Sequence, residues 1–488
     1  MAEKLVIIGN GMAPGRMLEH LLDADPARYD ITIFNAEPRV NYNRLMLSPV
    51  LAGEKTFADI ITHDDHWYAS HNITLHKAAP VSLIDRVNKR VLSTNSVVAD
   101  YDRLVIATGS NPFVPPLPGT NLPGVITFRD LDNVEAMIAA SACGGHAVIL
   151  GGGILGLEAA AALRLRGMAV TVLHRSANIM ERQLDPAAGK LLARALVDRG
   201  ITILTNAHTA EIIGPDCVTA IRLNDGSEIP ADLFVMAVGI APNTGLARAA
   251  GLAVNRGIVV DDQMRTDDPH IYALGECAEH RGQCYGLVAP LYDMAETLAQ
   301  TLLGAEAVYN GSLTATRLKV TGIDVFSAGD FKTAPDREDI VLHDASAGIY
   351  KRLILKNDRL IGAVLYGETA DGPWFFDLIQ GGADTRAMRD TLIFGPSYQG
   401  SAPLDPMVAV AASQDNLRCN GLNSRGLRTV GLLPSLPLER RVAPLGPSGR
   451  SKAGVGVVLF SSDGPPPSFP PLKGEGGEGT KNTYRQAA

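Results

Sequence analysis

Two segments of the sequence share one pattern of apolar and polar positions. Each begins with a short apolar run rich in β-branched residues, continues through a glycine-rich turn and then places apolar residues at helical spacing. The run, turn and helical pattern cover residues 5–8, 9–11 and 16–22 in the first segment and residues 147–150, 151–153 and 155–165 in the second. A further apolar run at 31–34 or 170–173 completes a βαβ unit in each segment. This duplication predicts two nucleotide-binding domains built on parallel sheets.

Short strands predominate later in the chain. Residues 104–106 and 233–238 are apolar runs that end in turns, and the prolines after the first of them predict an extended crossover. From about residue 313 to 368 the pattern alternates, which predicts strands at 317–326, 350–355 and 361–366, followed by a helix near 374–379. This region is therefore expected to form a separate β-rich domain.

The last part of the chain has a different composition. Residues 421–488 contain 12 glycines and 9 prolines among 68 residues. A segment of this composition cannot bury a core, so residues 406–488 are predicted to form a disordered tail.

The overall composition excludes several classes of partner and site. The 488 residues carry 44 basic and 52 acidic side chains, and a net charge of −8 does not favour nucleic acid or an anionic membrane surface. No apolar stretch approaches the roughly 20 residues of a membrane span, and no signal peptide is predicted. The five cysteines include no C-x-x-C pair, which argues against a disulfide scaffold, a cysteine-rich zinc site or a thioredoxin-like dithiol and favours a reducing, cytoplasmic setting.

The turn of the second segment is a complete G-x-G-x-x-G motif, Gly151-Gly152-Gly153-Ile154-Leu155-Gly156. In such a motif the first glycine permits the tight turn, the second lets a pyrophosphate approach the backbone, and the third lets helix and strand pack closely. The N–H groups and partial positive charge of the helix N-terminus also favour an anion. The motif predicts a dinucleotide site.

The first turn departs from this motif. In Gly9-Asn10-Gly11-Met12-Ala13-Pro14-Gly15, proline occupies the third-glycine position and a glycine follows one residue late. Proline is tolerated in the first turn of a helix because its missing N–H has no intrahelical partner there. A second dinucleotide site is therefore still predicted. Glu37 best matches the acid expected to bind an adenosine ribose, and a solvated loop glutamate is the alternative.

No acid follows the second strand of the second unit, where His174, Arg175 and Ser176 stand instead. An acid at this point favours the free 2′-hydroxyl of NAD, whereas an arginine can pair with the 2′-phosphate of NADP. Arg175 therefore favours NADPH or mixed use, and a surface arginine that binds nothing is the alternative.

Two other groups of residues are expected to be structural. Four histidines, His63, His66, His71 and His76, lack metal-ligand spacing and are expected to be ordinary surface histidines. Cys277 and Cys284 are expected to be structural thiols.

Further motifs accompany the two turns, namely Thr108-Gly109, residues 238–243 and residues 271–277. Together they resemble the two-dinucleotide-binding-domain flavoprotein reductases of the FAD-dependent pyridine nucleotide-disulfide oxidoreductase superfamily. Residues 35–44, 180–185, 275–277 and 287–292 resemble the N-terminal flavoprotein part of assimilatory NAD(P)H nitrite reductase large subunits. The resemblance covers about residues 4–412.

The resemblance implies an α/β fold with two Rossmann-like three-layer domains, the second inserted in the first, and a small β-rich α+β domain. The implied FAD-binding domain comprises residues 1–115 and 245–312, and the NAD(P)-binding domain comprises residues 116–244. Residues 313–405 would form the β-rich C-terminal or interface domain, and 406–488 the tail.

The resemblance also assigns cofactor contacts. Those to FAD are Gly9, Gly11, Met12, Ala13, Glu37, Arg44, Thr108, Gly109, Arg129, Gly275, Glu276 and Ala289. Those to NAD(P) are Gly151, Gly153, Ile154, Leu155, Gly156, Glu158, His174, Arg175 and Gly239. Surface salt bridges are the alternative for Arg44 and Arg129, and interaction with the helix dipole is the alternative for Glu158, which would orient the nicotinamide. No side chain is assigned as general acid or base, because the flavin carries the chemistry, and no metal site is predicted.

The cysteines depart from the family pattern. Members with a redox-active disulfide or a cysteine sulfenate carry cysteine in the segment that corresponds to residues 40–50, which here contains none. The flavin is therefore expected to pass its electrons elsewhere. Nitrite reductases continue into an iron–sulfur module and a sirohaem half, but no cysteine follows Cys419, and a cluster normally requires four ligands. A truncation or frameshift is one hypothesis for the change of composition.

The resulting hypothesis is an FAD-dependent NAD(P)H oxidoreductase of nitrate assimilation, which passes electrons through FAD to an iron–sulfur or sirohaem acceptor on another chain. The alternatives are a stand-alone rubredoxin- or ferredoxin-type reductase, a non-catalytic NAD(P)H-sensing flavoprotein and an inactive truncated remnant. The β-rich domain is a candidate surface for a homodimer. Nucleic acid and membrane are not expected as partners, and a cytoplasmic location is expected.

Overall fold

The computed structural model describes residues 2–320 and 322–398. Its α-helices are Met12–Ala24, Leu47–Ala52, Asp65–Ser70, Leu131–Ala142, Ile154–Leu165, Pro186–Val197, Gly245–Ala249, Val288–Leu302 and Gly372–Gly381. Short 3-10 turns are Arg44–Met46, Ala58–Ile60, Gly275–Cys277, Arg386–Met388, Leu392–Phe394 and Pro396–Tyr398. The predicted tail at 406–488 lies outside the described residues.

The first five-stranded sheet is parallel and takes its strands from two separate stretches of the chain. Their order across the sheet is Ile271–Ala273, Arg103–Ile106, Glu3–Ile8, Tyr29–Phe34 and Thr74–His76. Residues 5–8 form a continuous buried run, as expected for a strand covered on both faces. Helices Met12–Ala24 and Val288–Leu302 pack against each other and contribute to the same core.

The second five-stranded sheet is also parallel. Its strand order is Val125–Thr127, Leu233–Met236, His146–Leu150, Ala169–Leu173 and Ile201–Leu204. All of these strands fall, in sequence, between the strands Arg103–Ile106 and Ile271–Ala273 of the first sheet. Both predicted βαβ units are therefore present, with boundaries extended by a few residues.

The third five-stranded sheet is antiparallel and lies in the region where the alternating pattern predicted short strands. Its strand order is Ala315–Val320, Ile323–Gly329, Arg359–Tyr366, Ile349–Lys356 and Glu338–Asp344. The single strand predicted at 317–326 is wrong, because two paired strands occupy this region. Gly322 lies in the turn between them with φ +82°, a conformation that glycine adopts without a steric penalty.

Smaller antiparallel ribbons and one parallel pair accompany these sheets. The antiparallel ribbons are Asn41–Tyr42 with Ile61–His63, Val81–Asp85 with Arg90–Ser93 and Val98–Asp100, Ser110–Pro112 with Ile240–Pro242, and Thr209–Ile213 with Ala220–Leu223 and Glu228–Pro230. The parallel pair is Ile258–Val260 with Ala278–His280. Among the described residues, no helix combines the length and apolar character needed to cross a membrane.

A buried polar cluster joins the third sheet to a helix beside the second. Asp185 caps the helix Pro186–Val197 by accepting a hydrogen bond from the Ala188 N–H at 3.0 Å. Its other carboxylate oxygen accepts hydrogen bonds from the Tyr350 hydroxyl at 2.6 Å and from Arg352 at 3.1 Å. All three side chains are buried, so the Asp185 carboxylate obtains its polar partners from the protein rather than from solvent.

Candidate functional site

A continuous cavity of about 2070 Å³ is lined by both glycine-rich turns. It also contacts residues at the carboxyl ends of the first two sheets, the position where ligands bind in open α/β sheets. The predicted contacts that line it are Gly9, Gly11, Met12, Ala13, Glu37, Arg44, Thr108, Gly109, Arg129, Gly151, Gly153, Ile154, Leu155, Glu158, His174, Arg175, Gly239, Gly275, Glu276 and Ala289. Gly156 lies behind the cavity wall, between helix and strand. The fold therefore gathers residues that are far apart in the sequence around one space.

The glycines of the first turn have different surroundings. Gly9 has φ +110°, and a Cβ added there would lie 2.1 Å from the Ala107 carbonyl oxygen. Gly11 precedes the helix Met12–Ala24, and a Cβ added there would meet no atom within 4 Å. Gly9 thus serves the turn itself, whereas Gly11 leaves the approach to the helix N-terminus open. Pro14 is the third residue of that helix, as the first-turn prediction requires.

An unsatisfied donor lies in the same turn. The Asn10 side chain is buried and its Oδ1 accepts a hydrogen bond from the Tyr68 hydroxyl at 2.9 Å. Its Nδ2 has no hydrogen-bond partner among the described residues. Because burying an unpaired N–H is costly, this donor suits an acceptor bound in the cavity.

In the second turn, each of the three motif glycines has a distinct role. Gly151 has φ +121°, with a hypothetical Cβ 2.3 Å from the Ala237 carbonyl oxygen. A Cβ on Gly153 would meet nothing within 4 Å, whereas one on Gly156 would lie 2.0 Å from the Gly151 carbonyl oxygen. These surroundings correspond to the tight turn, the open approach and the close helix packing that the motif requires.

Two carboxylates on the side of the first turn are held by arginines. Glu37 forms an ion pair with Arg44 and accepts a hydrogen bond from the Tyr42 hydroxyl at 2.8 Å. Burial alone would lower the pKa of Arg44, but Tyr42 and Glu37 raise it, so this guanidinium stays charged. Glu276 forms an ion pair with Arg129.

Glu276 also accepts a hydrogen bond from the Ser110 hydroxyl at 2.8 Å. The two arginines are themselves linked, since Arg44 donates to the Arg129 carbonyl oxygen at 3.2 Å. Arg44 and Arg129 therefore take part in ion pairs, as their alternative assignment proposed, and at the same time line the cavity.

Glu158 links two helices at the cavity wall. It lies on the helix Ile154–Leu165 and accepts a hydrogen bond at 2.5 Å from Ser48, on the helix Leu47–Ala52. Burial raises the pKa of Glu158, and the Ser48 hydrogen bond only partly opposes this. This environment favours a carboxyl group that holds its proton to higher pH than a solvated glutamate does.

Sequence reasoning did not assign a site role to Glu181, which also lines the cavity. Its carboxylate contacts His174 Nε2 at 2.5 Å and accepts a hydrogen bond from the Ser176 hydroxyl at 3.0 Å. The only signal for it was its place in the motif at 180–185, seven residues beyond His174, which stands where an acid is normally expected.

Two of the histidines and cysteines that were expected to be surface or structural residues, His63 and Cys284, have other surroundings. His63 is buried rather than at the surface, stacks on Trp67 with ring centroids 3.9 Å apart, and contacts Glu19 at 3.0 Å. Cys277 is a buried thiol whose pKa is raised by burial, as a structural role implies, but Cys284 lines the cavity. Across residues 2–320 and 322–398, no group of three or more His, Cys, Asp or Glu side chains could hold a metal ion.

Comparison with known families gives two matches. Residues 3–297 match the family described as pyridine nucleotide-disulphide oxidoreductase. Residues 315–383 match the rubredoxin NAD+ reductase C-terminal domain.

Individual proteins are similar over most of this chain. The nitrite reductase [NAD(P)H] of Bacillus subtilis (strain 168) is 45% identical over 424 residues, which cover 86% of this chain and 52% of that protein. The assimilatory nitrate reductase electron transfer subunit of the same organism is 40% identical over 419 residues, which cover 86% and 54%. The chain thus spans about half the length of these curated relatives.

A solved structure, that of an NAD-dependent persulfide reductase from A. fulgidus, is also similar. It has a TM-score of 0.74 and 27% sequence identity, and the match covers 87% of this chain and 86% of that one.

Proposed function

The chain belongs to the pyridine nucleotide-disulphide oxidoreductase family, and from that premise we propose that it passes electrons from NAD(P)H through FAD to an iron–sulfur or sirohaem acceptor on another chain. Members of this family use FAD and NAD(P)H. When bound, FAD supplies the conversion of a two-electron hydride into single electrons. This activity corresponds to the NAD(P)H-oxidising part of an assimilatory nitrite reductase.

One observation carries the proposal: both glycine-rich turns open into the same cavity. Two dinucleotides bound at Gly11 and Gly153 would therefore share one cavity. Hydride transfer requires such proximity, because the reacting groups must be held in contact and away from water.

The residues of the first turn fit the pyrophosphate of FAD. Gly9 and Gly11 would admit it, and the unpaired Asn10 Nδ2 would donate a hydrogen bond toward a bound anion. Glu37 would bind the adenosine ribose, which requires it to exchange part of its contact with Arg44 or Tyr42. The remaining residues proposed to contact FAD are Met12, Ala13, Arg44, Thr108, Gly109, Arg129, Gly275, Glu276 and Ala289.

The second turn fits NAD(P)H in the same way. Gly151 would form the turn, and Gly153 would admit the pyrophosphate next to the helix that begins at Ile154. Glu158, protonated over a wider pH range than a solvated glutamate, would donate a hydrogen bond to the nicotinamide amide. Ala289, in the first turn of the helix Val288–Leu302, would face the flavin ring. Leu155, His174, Arg175 and Gly239 complete the proposed contacts.

The position of the cysteines favours an external acceptor. The helix Leu47–Ala52, which lies beside the cavity, contains no cysteine. Cys277 and Cys284 are both free thiols, so neither supplies a disulfide to receive electrons. Electrons from the flavin would leave through a partner instead.

The domain organisation that we propose follows the strand order. Residues 1–115 and 245–312 would bind FAD, the inserted residues 116–244 would bind NAD(P)H, and residues 313–405 would form the interface domain. A homodimer through this last domain and a cytoplasmic location belong to the same proposal.

A stand-alone rubredoxin- or ferredoxin-type reductase is the second candidate, favoured by the match of residues 315–383 to the rubredoxin NAD+ reductase C-terminal domain. Steady-state turnover with NADH separates the two candidates. The proposal predicts slow reduction of rubredoxin and ferredoxin and rapid reduction of a separately purified iron–sulfur and sirohaem partner. Rapid reduction of a small carrier would favour the second candidate, and no turnover with any acceptor would favour a sensor or an inactive remnant.

A further inference from the structure

The second site lacks an acid where the ribose of a nicotinamide dinucleotide is usually recognised. The strand Ala169–Leu173 ends at the cavity, and His174 and Arg175 follow it directly. In Rossmann-type sites an acid at this strand end binds the free 2′-hydroxyl of NAD. The structure places a carboxylate here from elsewhere, namely that of Glu181.

The backbone holds Glu181 against the phosphate-binding turn. Met180, the residue before it, is buried and has φ +52°, a conformation that is uncommon outside glycine. Its N–H donates a hydrogen bond to the Gly152 carbonyl oxygen at 2.8 Å. The N–H groups of Gln183 and Leu184 both donate to the Met180 carbonyl oxygen at 2.8 Å. Glu181 therefore extends from a turn that is fixed to Gly152, the residue between the first two glycines of the motif.

His174 completes this attachment. The Gly152 N–H donates a hydrogen bond to His174 Nδ1 at 3.1 Å, so the proton of the neutral ring lies on Nε2. Nε2 then donates to Glu181 at 2.5 Å. His174, which occupies the usual acid position, therefore holds the Glu181 carboxylate beside it at this strand end.

The Glu181 carboxylate carries a negative charge at the cavity wall. Burial alone would raise the pKa of Glu181, but hydrogen bonds from His174 and Ser176 and the nearby charge of Arg175 lower it below its ordinary value. Glu181 is therefore ionised at neutral pH. Arg175, the cation that could pair with a 2′-phosphate, lies close enough to help lower the pKa of this carboxylate.

We propose that Glu181, positioned by His174, takes the place of the strand-end acid and accepts a hydrogen bond from the free 2′-hydroxyl of the adenosine ribose, so that the site prefers NADH to NADPH. This inference rests on the proposed function. It reverses the preference that Arg175 alone suggested, because a 2′-phosphate would meet an ionised carboxylate that is already held in place. Repulsion between like charges at such short range opposes binding.

The test measures binding of NAD+ and NADP+ to the FAD-loaded protein by titration calorimetry. Wild-type protein is expected to bind NAD+ at least about tenfold more tightly than NADP+, the scale of one hydrogen bond to a charged group. Glu181→Gln should weaken NAD+ binding and strengthen NADP+ binding, which brings the ratio near one. Glu181→Gln combined with Arg175→Leu should lose the gain for NADP+.

Glu228→Gln is the matched control, because Glu228 is an exposed carboxylate paired with Arg222 at 2.9 Å and lies in the same part of the chain but outside the cavity lining. It should leave the NAD+ to NADP+ ratio unchanged. Kinetics add an independent measurement: Glu181→Gln should raise the KM for NADH with little change in kcat, which general misfolding would not do.

Two results would overturn the inference: a wild-type preference for NADP+, or a ratio in Glu181→Gln equal to that of the wild type. Failure of the proposed function gives a different result. In that case neither nucleotide would reduce the wild-type flavin, while the binding ratio would still report on Glu181.

Discussion

The glycines of the second turn allow a substitution that separates binding from folding. Gly153 has φ −86° and ψ −176°, an extended backbone that any residue adopts, and a Cβ there would meet no atom within 4 Å. Gly153→Ala should therefore change the free energy of unfolding by less than about 1 kcal/mol. Gly151→Ala is the contrasting variant, because its φ of +121° and the contact with Ala237 at 2.3 Å both oppose a side chain. It should destabilise the protein by about 1–3 kcal/mol.

The same methyl group on residue 153 should interfere with NADH. It would occupy the open approach to the helix N-terminus and displace the pyrophosphate from one charge-assisted hydrogen bond. Each such bond contributes about 1.5–3 kcal/mol, and 1.4 kcal/mol corresponds to a factor of ten in affinity. Gly153→Ala is therefore expected to weaken NADH binding by about 10- to 100-fold.

Stopped-flow flavin reduction over a range of NADH concentrations measures this directly. The concentration dependence gives the dissociation constant, and the plateau gives the limiting rate of hydride transfer. Gly153→Ala should raise the former, retain most of the latter and retain the FAD content of the wild type. An unchanged dissociation constant, or a loss of stability as large as that of Gly151→Ala, would refute the assigned roles of the two glycines.

Two further predictions concern buried polar groups. Tyr350→Phe should lower the free energy of urea unfolding by about 1.5–3 kcal/mol, because it removes a hydrogen bond to the buried Asp185 carboxylate; an equal loss in the exposed control Tyr398→Phe would contradict this. Burial raises the pKa of Glu158, so the folded protein keeps this proton at a pH where the unfolded chain, with its ordinary pKa of 4.5, has released it. The contribution of Glu158 to stability should therefore fall as pH rises from 4.5 through the higher pKa of the folded state. Glu158→Gln should flatten that part of the profile of melting temperature against pH, and an unchanged profile would show that Glu158 does not titrate in this way.

Local geometry explains which features the sequence could predict. The turn directly after each of these buried strands has a positive φ, which Gly9 and Gly151 supply. The apolar run and the glycines that follow it are only a few residues long, so the sequence alone predicts this turn. The two βαβ units follow from apolar periodicity in the same way. Gly322 was the corresponding signal for the turn in the third sheet, but the apolar residues on either side of it suggested one continuous strand.

Long-range packing explains what the sequence could not predict. Glu181 reaches the second site because Met180 adopts a left-handed backbone and bonds to Gly152, and neither feature has a local sequence signature. His63 is buried because Trp67 and Glu19, on separate elements, enclose it. Such contacts depend on the folded chain, so residue type and spacing do not reveal them.

The central claim is that this chain transfers electrons from a nicotinamide nucleotide to a bound flavin. Anaerobic mixing of the purified, FAD-loaded protein with NADH, followed by the visible flavin absorbance, tests it most directly. The oxidised-flavin band should disappear rapidly with NADH and more slowly with NADPH. A flavin band that persists with both nucleotides would contradict the claim.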